Sequence, residues 1–236
     1  MWLLGKKQTN IVTISCTPTT IACAWICPSK EKYIYELKAY KRTLLERFEF
    51  EQGYINNPTS IDNQITSFLT KHALKNSFIT IALRAPIIYE NIVTLPIAIQ
   101  DPADTVLPKK QQQLWSYRYL YSQDNAHATF YVCSIPQSLL FQYKLLSIRQ
   151  RLNLIGITTV SMAHLYAYMH GYGVAFRHSQ LAQGMIRCNN NLDNLISPDT
   201  LRRRLIIANR YANDIEHELT TLTPLLGLMM NQKGIS

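Results

Sequence analysis

The sequence predicts an α/β fold, on three observations. The chain opens with three strand-length apolar runs joined by short turns. A later stretch reads strand, strand, helix, strand, helix, which is the pattern of an α/β layer. The composition is that of an ordered globular protein, with 47% hydrophobic and 17% charged residues over 236 positions.

The opening runs are Ile11 to Cys16, Thr20 to Ile26 and Tyr33 to Tyr40, each rich in β-branched and aromatic residues. Thr17-Pro18 divides the first pair and Pro28-Ser29-Lys30 the second. These connections are too short for a crossover helix, so the runs form an antiparallel meander. Glu46 to Asn57 follows as a polar connection, punctuated by Gly53 and Asn56-Asn57-Pro58. Thr59-Ser60 can cap a helix through about Leu74, with Ile61, Ile65, Phe68, Leu69 and His72 on one face. Ser77 to Arg84 reads as a strand with Asn91 to Leu95 as its companion. The proline-punctuated loop from Pro96 to Pro108 then serves as a hinge between two halves of the sheet.

Trp115 to Tyr121 and Ala128 to Ile135 read as a hairpin, with turn chemistry at Gln123-Asp124-Asn125. Pro136 opens a helix whose apolar face is Leu139, Leu140, Tyr143 and Leu146. Leu154 to Thr159 is a strand and Val160 to Tyr168 a helix. From Gly171 to Pro198 the periodic signal weakens. Pro198 then opens a helix with Leu201, Leu205, Ala208, Ala212, Ile215 and Leu219 at helical spacing, and an apolar segment, LLGLMM, follows Thr223-Pro224.

The net charge is +9, from 24 basic and 15 acidic residues. That balance favours an anionic partner such as a membrane face, an acidic protein or nucleic acid. The basic residues are scattered in short groups such as Lys6-Lys7, Lys109-Lys110 and Arg202-Arg203-Arg204, which argues against a dedicated nucleic-acid surface. No apolar stretch approaches the roughly 20 residues that span a bilayer. Met1 to Leu4 before Lys6-Lys7 inverts the charge order of a secretory signal, and five cysteines without framework spacing fit a reducing compartment; both lead to the expectation of a cytosolic protein.

The order of these elements resembles the PilM/HofM group of type IV pilus and competence assembly proteins, relatives of FtsA with an actin-like fold. The segments that carry the resemblance are LLGKKQTNIVTIS, the run from FEQGYINNPTS to IVTLP, the run from LWSYRYLYS to MAHLYAY, and the closing LTPLLGLMM with its Gly-Leu. The resemblance implies an actin-like first lobe with an inserted small α/β subdomain and a reduced second lobe. It divides the chain into residues 1–95 (first-lobe meander, helix and strand pair), 96–175 (α/β subdomain) and 176–236 (C-terminal helical region).

Members of that group that bind ATP carry an Asp and a Gly in the first hairpin bend. Matching the bends puts Ser15 at the Asp position, Thr17 at the Gly position and Ala22 where a Lys is usual. Serine lacks the anionic oxygen that orders a magnesium ion. A β-branched residue followed by Pro18 denies the close backbone approach that glycine permits. A second phosphate loop is expected after Tyr168, yet HGYGVAFRHSQLAQGMIRC brings Gly171 and Gly173 without a carboxylate. The expectation is a degenerate nucleotide site, no catalysis and no cofactor.

Other groups of residues favour the plainer alternative. Cys16, Cys23 and Cys27 lack zinc-site pairing and suit a strand core. His164 and His170 are six apart and would not share a helix face, and His217 sits among polar residues. Of the 14 tyrosines, Tyr33, Tyr35 and Tyr40 form one cluster and Tyr117, Tyr119, Tyr121 and Tyr131 another. These serve either cross-strand packing or an amphipathic peptide groove. By resemblance, the chain is expected to be a cytoplasmic adaptor, peripheral at the inner membrane. It would hold the N-terminal tail of a membrane-spanning, PilN-like partner in a first-lobe groove, with Trp25, Tyr33 and Tyr35 as the candidate wall. Two other classes stand beside this one: an actin-like ATPase with an unconventional pocket, and a basic nucleic-acid-binding module.

Overall fold

The computed structural model describes residues 10–46, 49–106, 112–171, 177–207 and 218–231. Its centre is a six-stranded sheet. Strands β1 (Ile11–Cys16), β2 (Thr20–Pro28) and β3 (Tyr35–Leu44) form the expected antiparallel meander. On the other side of β1 lie β6 (Phe78–Leu83) and β10 (Asn153–Thr159), both parallel, and β11 (Leu205–Ile207) runs parallel along the far edge of β3. The order is β10-β6-β1-β2-β3-β11.

One face of this sheet buries Val12, Ile14, Ile21, Ile79 and Ile81 against α1 (Pro58–Lys71) and α3 (Gln137–Arg149). The helices contribute Ile61, Ile65 and Phe68 from α1, and Leu139, Tyr143 and Leu146 from α3. On α1 the capping residue is Asn57, whose side chain accepts from the Ser60 N–H at 3.2 Å, and not Thr59-Ser60 as expected. Pro58 then occupies the first turn, where its missing N–H costs nothing.

The opposite face carries small side chains at its centre, with Thr13, Ser15, Ala22, Ala24 and Ala82 buried there, and larger ones, Ile26, Tyr35 and Leu37, toward β3. Small residues let helices come close. Accordingly α4 (Val160–Gly171) and the last helix, α7 (Leu219–Asn231), pack on this face, and a Cβ added at Gly227 of α7 would lie 1.8 Å from the Ala163 carbonyl oxygen of α4. The Gly-Leu in the closing segment therefore marks the point where two helices touch backbone to backbone.

Between β6 and α3 the chain forms a separate three-stranded antiparallel sheet, β7 (Tyr89–Pro96), β9 (His127–Pro136) and β8 (Gln113–Ser122), with β9 central. The short helix α2 (Pro102–Val106) covers it, with Ala103 packed among Ala128, Phe130 and Val132. Two expectations are corrected here. Asn91 to Leu95 pairs with β9 and not with Ser77 to Arg84, because the turn after Arg84 carries the chain out of the central sheet. The loop after Pro96 is consequently no hinge between halves of one sheet: its two ends flank the same central strand.

Three smaller differences follow from competing local signals. Within Glu46 to Asn57 a two-residue hairpin, β4 (Phe50–Glu51) and β5 (Tyr54–Ile55), buries Phe50 and Ile55, with Gly53 at φ +101° in its bend. In the stretch where the periodic signal weakens, α5 (His178–Arg187) forms on only three buried residues, Leu181, Gly184 and Met185. The helix opened by Pro198, α6 (Pro198–Arg204), ends after about two turns. Leu205, expected on that helix, begins β11 and pairs with Tyr35, where β-branched Ile206 and Ile207 satisfy the free edge of β3. Ala208, Ala212 and Ile215 lie outside the described residues.

Candidate functional site

In open α/β sheets, ligands sit beyond the carboxyl ends of the parallel strands, where loops leave room. Here that position is a cavity of about 250 Å³ between the β1–β2 turn, the end of β6, the start of α4 and the start of α7. Ser15 and Thr17 line it; Ala22 does not, being wholly buried beneath α7. The Thr17 hydroxyl is held within the turn, 2.8 Å from the Thr20 hydroxyl, and accepts from the Thr20 N–H at 3.1 Å.

The cavity is furnished by residues that the sequence did not single out as a group. Arg84, just past β6, donates to the Asp193 carboxylate, and its own N–H reaches the Cys16 carbonyl at 2.9 Å. Asp193 belongs to a single 3-10 turn, Leu192–Asn194, started by Asn191, whose side chain accepts the Asp193 N–H at 3.0 Å. Its carboxylate lies beyond the stretch after Tyr168 in which the resemblance places an Asp, so no spacing rule reaches it. The Arg84–Asp193 pair is about one-third exposed, so its worth in stability is small, well under about 1 kcal/mol. Its effect on the cavity is to fill space and to cancel charge.

His164 of α4 also faces this cavity, 5% exposed, with Nδ1 3.2 Å from the Asp193 carbonyl oxygen. Burial pushes its imidazole down to about 4; the Asp193 carboxylate opposes this and the Arg84 guanidinium adds to it. The unfolded side chain takes up its proton near pH 6.5, so between about pH 6.5 and 4 the unfolded state binds more protons. Stability from a neutral His164 is therefore complete above about pH 6.5 and is lost as the pH falls toward 4, by on the order of 3 kcal/mol. Because glutamine does not titrate, the wild-type-minus-His164→Gln difference in urea unfolding free energy should fall as the pH drops across that window. A difference that does not change with pH would contradict it.

A second concavity, about 320 Å³, lies between the two sheets. One wall is β8, an edge strand of the small sheet, through Trp115, Tyr117 and Arg118. The other is β10, the edge of the central sheet, through Ile157 and Thr158, with Met162 and Tyr166 of α4 below. Leu154, Ile155 and Ile157 are only half-buried on this edge. The Arg118 guanidinium stacks 4.9 Å from the Tyr166 ring centroid, which fixes it as part of the wall. Tyr131 forms the floor: its hydroxyl donates to Glu90 and lies 2.6 Å from the Thr159 hydroxyl, and burial first, then the Glu90 charge, pushes its phenol far above the ordinary range.

The Trp25, Tyr33 and Tyr35 wall does not form. Successive strand residues face opposite sides, and Trp25 packs on the α1–α3 side whereas Tyr35 packs on the α7 side. Tyr35 is 0% exposed, sealed by Leu205 and α7, and Tyr33 sits at φ +63° in the preceding turn with Lys32 over its ring at 5.1 Å. Of the second tyrosine cluster, Tyr117 and Tyr131 do reach the groove. Cys16, Cys23 and Cys27 are buried thiols, pushed up by burial and, for Cys23, to about 12. Among the described residues no three His, Cys, Asp or Glu side chains are grouped to hold a metal. His217 lies outside the described residues.

With the topology in hand, the fold is an actin-like first lobe with a small α/β subdomain inserted between β6 and α3. A chain of the "PilM-PilN type IV pilus biogenesis complex" superposes with a TM-score of 0.62 at 10% identity, covering 95% of this chain and 98% of that one. More distant likenesses are the cytoplasmic domain of EpsL, an inner-membrane component of the type II secretion system of Vibrio cholerae (TM-score 0.41, 9% identity, 66% of this chain and 57% of that one), and a Bacteroides thetaiotaomicron protein with an actin-like ATPase fold (0.35, 10%, 71% and 58%). No family model and no curated protein matches the sequence.

Proposed function

We propose that this protein is a non-catalytic adaptor of a type IV pilus, secretion or DNA-uptake assembly, and that the groove between β8 and β10 holds the extended cytoplasmic tail of a membrane-spanning partner. One observation carries the proposal: two edge strands line the same cleft. An edge presents unpaired N–H and C=O groups, and an extended peptide satisfies them while its alternate side chains enter pockets. Trp115, Tyr117 and Ile157 supply apolar contact for those side chains, and Arg118 supplies one charge. The complex whose chain shares this fold pairs PilM with PilN, and we extend that kind of partner to this protein.

The other cavity supports the non-catalytic half of the proposal. At the carboxyl ends of the strands, an ion pair and a buried neutral histidine stand where a triphosphate and its metal would need an anionic ligand and bare backbone. No helix among the described residues is long and apolar enough to cross a membrane, so attachment to an inner-membrane machine would run through such a partner or through the surface.

Calorimetric titration with a synthetic partner tail tests the reading. We expect micromolar binding, weakened at least about tenfold by Ile157→Glu, which places a charge in the apolar wall at a cost of more than about 1.4 kcal/mol. Trp25→Phe should leave it unchanged. Absence of binding at millimolar peptide, or turnover of ATP by the pure protein, would contradict the proposal.

A further inference from the structure

We propose that the outward face of α3 is a peripheral docking surface for an anionic lipid bilayer, an inference that does not depend on the adaptor reading. Helix α3 is apolar on two opposite faces. The inward one, Leu139, Tyr143 and Leu146, belongs to the core. The outward one is Phe141, Leu145 and Ile148, spaced i, i+4, i+7 and 59%, 36% and 59% exposed. A surface helix ordinarily carries one apolar stripe, and a second implies a second apolar neighbour.

The surrounding charge identifies that neighbour. Lys144 stands beside the stripe and Arg151 just beyond its carboxyl end, both exposed. Helix α1 comes alongside this end, with Gln150 donating to the Asp62 carbonyl (3.3 Å) in its amino-terminal half and Asn153 to the Asn76 carbonyl (3.4 Å) just past its carboxyl end, where Lys71 and Lys75 are exposed. The acid at that end, Asp62, is taken by Arg149 through bonds of 2.6 and 3.2 Å. Glu49 and Glu51 lie toward the opposite, amino-terminal end of α3, where the β4–β5 hairpin meets Ser138, and they accept bonds from Ser60 and Asn56. An apolar stripe without hydrogen-bonding groups, bordered by long basic side chains that can extend past it, matches a headgroup–acyl boundary carrying negative charge.

The test is co-sedimentation of the full chain with phosphatidylcholine vesicles and with vesicles containing phosphatidylglycerol, at low and high salt. We expect binding to the anionic vesicles alone, decreasing with salt. Phe141→Ser with Ile148→Ser should reduce partitioning at least about tenfold, and Lys144→Ala or Arg151→Ala by about fivefold each. All four positions are exposed, so unchanged thermal unfolding verifies that the variants are folded. The proposal is overturned by wild-type protein that stays in the supernatant, by a double serine variant that binds as well as wild type, or by loss of binding on replacing Arg202 and Arg203 while the α3 variants bind normally. Wild-type dimers dissolved by Phe141→Ser, without vesicle binding, would overturn it in favour of a second copy of this chain.

Discussion

Gly227→Ala should unfold or severely weaken this protein, lowering the melting temperature by roughly 6–12 °C or abolishing soluble expression, on a loss of about 3 kcal/mol or more. On an isolated helix the same change would be favourable by up to about 1 kcal/mol, since glycine is the poorer helix former. Tertiary geometry reverses the sign. The new Cβ would lie 1.8 Å from the Ala163 carbonyl oxygen and 3.1 Å from the Ala167 amide nitrogen, both backbone atoms of α4 that cannot swing aside. To relieve the clash α7 must lift off, and it carries Leu222, Leu225, Leu226 and Met229 out of the cluster that covers β2 and β3. Gly156→Ala in β10 is the matched control: its added methyl meets nothing within 4 Å, so stability should hold or rise by a few tenths of a kcal/mol. Thermal unfolding of the two variants side by side checks both the size and the sign.

Tyr143→Ala should cost about 3–5 kcal/mol, as expected when a buried aromatic side chain is deleted. Tyr143 is 1% exposed at the centre of α3, packs 6.5 Å from the Phe50 ring, and donates its hydroxyl to the Gly53 carbonyl at 3.1 Å. It therefore joins α3, the β4–β5 hairpin and the central sheet at one point. Tyr143→Phe separates the two contributions. It keeps the ring and leaves the Gly53 carbonyl without its donor, a loss of about 1–3 kcal/mol. Denaturant titration of both variants should give midpoints in that order, with the alanine variant far below the phenylalanine one.

How much of this was legible in the sequence depended on whether the deciding contact was local. The meander, the Gln123–Asn125 hairpin and the helix opened by Pro136 were readable because turn residues and strand-length apolar runs settle them within a dozen positions. The partner of Asn91 to Leu95 was not. Consecutive strands usually pair, and nothing in Ser77 to Arg84 announces that the next strand closes on one forty residues later. Leu201 and Leu205 recur at helical spacing, but the free edge of β3 outweighs that period and draws Leu205 to Ile207 into a sheet. That Ser15 and Thr17 stand in the first bend was visible in the sequence itself. That Arg84, His164 and Asp193 join them around one cavity was not, because those residues come from three distant segments. The groove followed the same rule: tyrosine clustering hinted at Tyr117 and Tyr131, and only the placement of two sheet edges side by side joined them to Ile157 and Tyr166.

These features describe an actin-like lobe with two cavities, one beyond the strand ends lined by the Arg84–Asp193 pair and His164, the other between two sheet edges lined by β8 and β10. Backbone amide hydrogen exchange with and without the partner tail, and separately with Mg-ATP, tests that division most directly. The account predicts that the tail slows exchange in Leu114 to Arg118 and Asn153 to Thr158, and that Mg-ATP leaves Ser15 to Thr20 unchanged. Protection of Ser15 to Thr20 by the nucleotide, with β8 and β10 unaffected by the tail, would contradict it.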